Sequence, residues 1–219
     1  MFRRALDNQL PRGVVLADAA YGNSSAFRSE LRKMGLYYAM AIEPQTKVFR
    51  LEGPPGPVGV AIDVRALGAA WAVTPKLFRR ITWREGTRES LSARFAVRRV
   101  IPAHDDGSPP HEREPVWLIC EWLDGQPHPT KFHFARVPSS MTKKRLLRLL
   151  KERWRTERVY QDLKGELGLD HFEGRRFPGW HHHVSVVLCC YSFILAERVR
   201  HFSPSPRRSY QAHSLQLAA

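Results

Sequence analysis

The stretch RWRTERVYQDLKGELGLDHFEGR, residues 153–175, places a carboxylate, Glu157, four residues after Arg153 and seven before Lys164. On a helix, Arg153, Glu157, Tyr160, Gln161 and Lys164 share one face. A carboxylate bracketed by cations suits phosphate chemistry, with the acid holding a divalent metal and the cations holding backbone phosphates. The same spacing equally suits a solvated Arg153–Glu157 ion pair, worth about 0.3–0.5 kcal/mol and in the weaker orientation. The helix alone leaves both open. A second acid, Asp18, ends the apolar run VVLAD. An acid at the C-terminal edge of a buried strand sits where open α/β sheets place their ligands. It could instead start a turn by bonding the next backbone N–H groups. Metal-assisted phosphoryl transfer gathers carboxylates from separate elements, and a strand end and a helix would supply one each.

These residues need elements to carry them. Residues 2–9 have the pattern of a short amphipathic helix, broken at Pro11. VVLAD reads as a buried strand, AAYGNSS as a turn with Ser24 or Ser25 as N-cap, AFRSELRKMG as a helix stopped at Gly35, and LYYAMAI as a second buried strand. A strand–helix–strand unit over 14–42 implies a parallel pair in an α/β layer. Composition then shifts. EGPPGPVG is a Pro/Gly loop, and KLFRRITW, LSARFAVRRVIPA, PVWLICEWL and TKFHFARV read as strands of a β-rich insertion. HDDGSPPHE between them reads as an exposed loop. A long helix is expected from Met141 to about Leu167, stopped by Gly168, and a second from about His181 to Arg200. The expected division is a partial core over 1–45, the insertion over 46–137, C-terminal core helices over 138–202, and a disordered tail over 203–219.

The bulk numbers favour a polyanionic partner. Among 219 residues, 35 Lys and Arg face 21 Asp and Glu, for a net charge of +14. Such excess attracts nucleic acid. Three cysteines, two of them adjacent, make no disulfide framework and no zinc pair, and read as buried reduced thiols. The N-terminus lacks the apolar region of a signal peptide. The longest apolar run, VSVVLCCYSFILA, falls short of the ~20 residues that span a bilayer and reads as a buried helix. No membrane partner is therefore expected, and a cytoplasmic location is.

VVLADAAYGN…FRSELRKMGLYYAMAI resembles the second-aspartate block of the DDE transposases of bacterial insertion sequences. RWRTERVYQDLK resembles the third-carboxylate block of the branch with the pattern Y-x2-R-x3-E-x6-K, with Arg153, Glu157 and Lys164 at its R, E and K. LGLDHFEGR, the GWHHH helix start and WREGTRESLSARFAVRRV also look like segments of such proteins. The resemblance implies an α/β, ribonuclease-H-like catalytic core interrupted by a β-rich insertion before the Glu-bearing helix. It implies cleavage and strand transfer on double-stranded DNA at transposon ends, with Mg²⁺ or Mn²⁺ as cofactor. Asp18 and Glu157 would be catalytic metal ligands, and Arg153, Arg155, Tyr160 and Lys164 would contact DNA. A homodimer, or a mixed complex with a full-length transposase, is the implied assembly.

Two departures accompany the resemblance. The pattern's Tyr falls at Leu150. The family's first Asp has no counterpart: Asp7, Asp63, Asp105, Asp106 and Asp124 are all misplaced for it. The expectation is an N-terminally truncated core, inactive alone, marginally stable, and with an exposed edge at the Asp18 strand. The alternative is a non-catalytic DNA- or transposase-binding remnant acting as an inhibitor; a basic structural protein unrelated to transposition is the third possibility. His181–His182–His183 cannot share one metal ion, since neighbours on a helix point about 100° apart. Trp71, Trp83, Trp117 and Trp122 could be core residues or could stack on an extruded base.

Overall fold

The computed structural model describes residues 2–51, 58–84, 91–104, 109 and 112–201. The chain divides into two compact units, Met1–Arg153 and Trp154–Ala219. Most of the loops EGPPGPVG and HDDGSPPHE, and the 203–219 tail, lie outside the described residues.

The first unit runs α1 (Phe2–Asp7), β1 (Val14–Ala17), α2 (Ala19–Gly22), α3 (Ser25–Lys33), β2 (Tyr37–Ile42), β3 (Lys47–Arg50), β4 (Val58–Asp63) and α4 (Val64–Ala72). A 3-10 turn at Pro75–Leu77 leads to β5 (Arg79–Arg84), β6 (Leu91–Pro102), β7 (Val116–Trp122), β8 (Lys131–Arg136) and α5 (Lys143–Leu150). All eight strands join one mixed sheet in the order β1-β2-β8-β7-β6-β3-β4, with β5 on the first part of β6. β1 and β2 are parallel, with Val14 opposite Tyr37; the other pairings are antiparallel. A parallel pair needs a crossover, and α2 and α3 supply it. Ser24 caps α3 by accepting from the Phe27 N–H at 3.2 Å. Gly35, at φ 67°, ends it, with Gly35 N–H bonded to the Arg32 carbonyl and Leu36 N–H to the Leu31 carbonyl. This pair of bonds satisfies carbonyls the helix would otherwise strand.

The strands of 46–137 continue the sheet that holds β1 and β2, because β8 pairs directly with β2. Three elements here have no counterpart in the expected pattern: β3, β4 and α4. β1 is an edge strand, and all four of its residues are half-exposed.

Both faces of the sheet are covered. On one, Leu31 of α3 and Val64 and Leu67 of α4 pack on Tyr38, Met40, Val100, Leu118 and Phe134. On the other, Leu146 and Leu147 of α5 pack on Ala39, Phe95, Val97, Ile119 and Ala135. Burying each such leucine contributes about 1.5–3 kcal/mol. Among the tryptophans expected to be core or stacking residues, Trp122 is buried beside Phe78, and Trp71, Trp83 and Trp117 are half-buried.

The α5 face also buries charge. Glu121 of β7 is 1% exposed and accepts a bond from the Lys151 ammonium, which lies 4.4 Å from the centre of the Trp83 ring. Burial lowers the Lys151 pKa, and Glu121 opposes that shift. The helix expected to run unbroken from 141 to 167 breaks at this point. α5 stops at Leu150, a 3-10 turn covers Lys151–Arg153, and a new helix follows. The break coincides with the ion pair that ties Lys151 back to the sheet.

The second unit is helical: α6 (Trp154–Gly165) and α7 (Phe177–His201). Leu163 and Val187 are its buried apolar residues, at 3% and 5%. The link between the helices is pinned by Leu169 N–H to the Leu163 carbonyl and by His183 Nε2 against the Gly168 carbonyl, both near 3 Å. α7 begins four residues before the expected start. VSVVLCCYSFILA is helical as expected but, Val187 apart, is largely exposed: Val186, Leu188, Phe193, Ile194 and Leu195 all face solvent. Cys120 is buried, whereas Cys189 and Cys190 are exposed, which corrects the expectation of three buried thiols. An apolar run reports a helix without reporting what covers it. Among the described residues, no helix is long and apolar enough to cross a membrane.

His133 of β8 sits opposite Ile119 on the α5 face, with its Nδ1 sealed from solvent and without a partner among the described residues. Burial first, and the nearby Lys151 charge second, push its pKa down from 6.5 to about 3. The folded state therefore holds this ring neutral. Between those two values the unfolded chain binds a proton that the folded chain refuses. Stability is thus fully present above pH 6.5 and declines as pH falls toward 3, by up to about 1.4 kcal/mol per pH unit. Urea unfolding across that range should show the decline, and His133→Leu should flatten it. An equally steep decline in the variant would remove His133 as its source.

Candidate functional site

Asp18 follows directly on the last residue of β1, at the C-terminal end of the parallel strand. It is exposed, and it is the N-cap of α2. Its Oδ1 accepts from the Ala20 N–H at 3.1 Å and the Tyr21 N–H at 3.4 Å. The turn-starting role expected for Asp18 is therefore observed, at the strand end. One oxygen makes the turn, and Oδ2 has no hydrogen bond among the described residues.

The turn behind Asp18 is held from three sides. Gly22 lies so close to β2 that a Cβ built there would stand 1.8 Å from the Ala41 carbonyl oxygen. The small-residue–Tyr-Gly pattern is thus a packing requirement of backbone on backbone. Asn23 Oδ1 accepts from the Glu43 N–H at 3.0 Å and the Thr46 hydroxyl at 3.2 Å, tying the turn to the far end of β2. Arg28 of α3, 2% exposed, donates to the Gly22 carbonyl and, at 2.9 Å, to the His104 carbonyl, with its guanidinium 5.5 Å from the Phe134 ring centre. Sequence reasoning missed Arg28. Its signal was a cation next to Phe27 on the side of α3 that also carries Leu31.

Glu157 lies in the first turn of α6 and is exposed, as are Arg155, Tyr160 and Lys164. Leu163 turns inward, so Glu157, Tyr160 and Lys164 remain on one solvent-facing side of a regular helix. Arg153 does not share that helix. It closes the 3-10 turn and falls at the end of the first unit, so its expected i,i+4 relation to Glu157 crosses a helix break. Arg158 pairs with Asp162 at 3.0 Å along α6. Asp18 belongs to the first unit and Glu157 to the second.

Carboxylate oxygens are the donors that Mg²⁺ and Mn²⁺ prefer. Asp18 and Glu157 therefore fit such an ion by type. Among the described residues, no group of three or more His, Cys, Asp and Glu could hold one ion. Asp124 makes a bidentate pair with Arg80 at 2.8 Å, which lowers its pKa, and Asp63 stands before α4 without a side-chain cap bond. The three consecutive histidines have different surroundings. His181 meets the edge of the Phe177 ring, His182 is exposed, and His183 lies against the Gly168 carbonyl.

Residues 1–90 match the family model of the DDE superfamily endonucleases. The chain is similar to that family over β1, Asp18, the pinned turn and β2, and onward into β5. The match supports a DDE transposase/endonuclease family for these residues. It ends before α5 and does not reach Glu157. No curated protein matches the chain.

The Gly22 contact gives a direct test. Gly22→Ala must displace either the turn or β2, because the atom it meets is backbone. Overpacking of this kind costs about 1–3 kcal/mol or more. Gly13, where an added Cβ meets nothing within 4 Å, is the matched control. Urea midpoints should fall clearly for Gly22→Ala and hardly move for Gly13→Ala. Equal midpoints for the two variants would show that the turn is not packed this tightly.

Proposed function

We propose that this chain carries part of the catalytic apparatus of an insertion-sequence transposase of the DDE type. What carries the reading is the family match over residues 1–90 together with Asp18 at the C-terminal end of a parallel strand, one carboxylate oxygen uncommitted. In it, β1, α2, α3 and β2 are a strand–helix–strand portion of a ribonuclease-H-like core. The strands between 46 and 137 are the insertion, and α6 is the Glu-bearing helix of the Y-x2-R-x3-E-x6-K branch.

Asp18 and Glu157 act as ligands to Mg²⁺ or Mn²⁺. A bound divalent ion would activate a water or 3′-hydroxyl nucleophile and stabilise the leaving oxygen. The chain's own residues position the groups. The Asp18 turn is held by Gly22, Asn23 and Arg28. The exposed face of α6 presents Tyr160 and Lys164 to DNA, and Arg153 and Arg155 lie at its start. Arg and Lys hold phosphates by charge and by direct hydrogen bonds. The substrate is double-stranded DNA at transposon ends, and the working assembly is a homodimer or a mixed complex with a full-length transposase.

A second reading has its own support. Among the described residues no third ligand joins either acid, and two-metal phosphoryl transfer needs several carboxylates. A chain that binds DNA or transposase without cutting, and so inhibits, is consistent with that shortage.

The deciding experiment incubates the full chain with supercoiled plasmid and Mn²⁺, alongside Asp18→Asn and Glu157→Gln, with DNA binding measured in parallel. The catalytic reading expects slow metal-dependent nicking, abolished by either substitution while binding persists. Binding without nicking in the unsubstituted chain would select the inhibitor reading. Nicking that survives both substitutions would discard Asp18 and Glu157 as ligands.

A further inference from the structure

We propose that α5, with Arg99 and Trp117 beside it, forms a second DNA-backbone surface on the first unit, distinct from the α6 residues. The proposal rests on DNA being the substrate, as argued above. α5 reads KKRLLRLL, with four cations and no acid in eight residues. Its leucines fix its orientation: Leu146 and Leu147 are 2% and 3% exposed against the sheet. Lys143, Lys144 and Arg145 are consequently exposed, and Arg148 is half-exposed.

Arg148 follows Lys144 by four residues and Arg145 by three, so like charges are stacked on adjoining turns and repel. Among the described residues none of the four makes an ion pair. The helix is therefore not a solvated face of mixed charge. Its neighbours add to the excess. Arg99 of β6 and Trp117 of β7 are direct cross-strand partners. The Arg99 guanidinium lies 5.0 Å, and the Lys143 ammonium 5.3 Å, from the centre of the Trp117 ring. A ring quadrupole holds cations in place without neutralising them. Arg99 also lacks an ion pair among the described residues.

The result is five unneutralised cations on a rigid platform. A polyanion relieves that repulsion and releases counterions as it binds. The shape selects among polyanions. The apolar side of α5 is consumed by the core, so it has no face to insert into a lipid surface. Trp117 is already engaged by two cations and is half-buried, so the patch has no free aromatic platform for unstacked bases. Phosphates along a duplex are what remains, and contacts to them position DNA without reading its sequence.

The test uses the full chain, a labelled duplex of arbitrary sequence and no divalent metal, so it is independent of whether the chain cuts. Anisotropy titrations over a range of KCl give the slope of log K against log salt. The triple variant Lys144→Gln, Arg145→Gln, Arg148→Gln is compared with a charge-matched triple on exposed positions elsewhere in the unit, Lys47→Gln, Arg65→Gln, Lys76→Gln. Circular dichroism confirms that both fold. The proposal expects the α5 triple to weaken binding roughly tenfold or more. It also expects a slope shallower by about 0.9 for each phosphate no longer neutralised, with about two to three such phosphates in all. The matched triple should change the slope by less than about 0.9. Equal changes in both triples would reduce the effect to net charge and overturn the proposal. So would an unchanged slope in the α5 triple, or binding of anionic vesicles but not of the duplex. DNA binding that follows this pattern in a chain that never nicks would keep the surface and discard the catalytic reading.

Discussion

Strand β2 bonds a parallel neighbour on one edge and an antiparallel neighbour on the other, and the first unit is organised around that double obligation. Its six residues include four that are buried, because helices cover both faces of the sheet. A strand in that position must be apolar on both sides, which YYAMAI is. Its parallel edge fixes β1, and with it the place where Asp18 leaves the sheet. Its antiparallel edge receives β8 and therefore the whole run of β7, β6, β5, β3 and β4. Moving β2 would move the acid and the antiparallel sheet together. The turn after Asp18 adds to this coupling, since Gly22 rests on the Ala41 carbonyl and Asn23 bonds Glu43 and Thr46 at the far end of β2.

The same geometry shows how one aspartate can cap a helix and still keep an oxygen uncommitted. A cap needs one acceptor oxygen near the first N–H groups of a helix, and Oδ1 of Asp18 meets it. A carboxylate has a second oxygen, and Oδ2 of Asp18 makes no hydrogen bond among the described residues, at the strand end where open α/β sheets place their ligands. The cap fixes the side chain's orientation before any ligand arrives. That favours binding over ordering a free side chain at the moment of encounter, because the conformational entropy is lost on folding instead.

Much of the first unit was legible in the residues, for identifiable reasons. VVLAD and LYYAMAI are apolar runs with Gly and Ser punctuation between them, and periodicity reads such segments well. β6, β7 and β8 carry aromatic and β-branched residues between turn clusters. β3 and β4 did not show, because they flank a Pro/Gly loop, and β4 takes its first two residues from it. α4 was hidden because VRALGAAWA, dense in alanine, carries a weak polar contrast. The break at Lys151 has no local cause at all. It falls in a run with no Gly or Pro, where a contact to Glu121, thirty positions earlier, competes with helix continuation. Tertiary bonds of that kind leave no trace in spacing. The α7 run failed differently: VSVVLCCYSFILA is apolar on every side, so its composition suggested burial, whereas most of its large apolar residues are exposed. For the site, Asp18 was legible from strand-end position. The turn that holds it required Gly22 and Arg28 to be seen against Ala41 and His104, which only the folded chain juxtaposes.

The distribution of charge argues that acids and cations in this chain have separate tasks. The carboxylates with clear partners serve structure: Glu121 with Lys151, Asp124 with Arg80, Glu114 with Arg136 and Asp162 with Arg158. The cations outnumber them, and α5 collects four with no acid among them. Had these been solvating charges, interspersed acids would have removed the repulsion without harming solubility. A helix that keeps like charges on successive turns instead carries an electrostatic penalty in the free chain, one that a line of phosphates would remove. Such a penalty would make binding salt-dependent and indifferent to sequence. On the proposed reading, sequence-independent holding by α5 and orientation of a carboxylate by the Asp18 turn would be complementary: the first would keep a duplex on the first unit, and the second would decide which phosphate the acid meets.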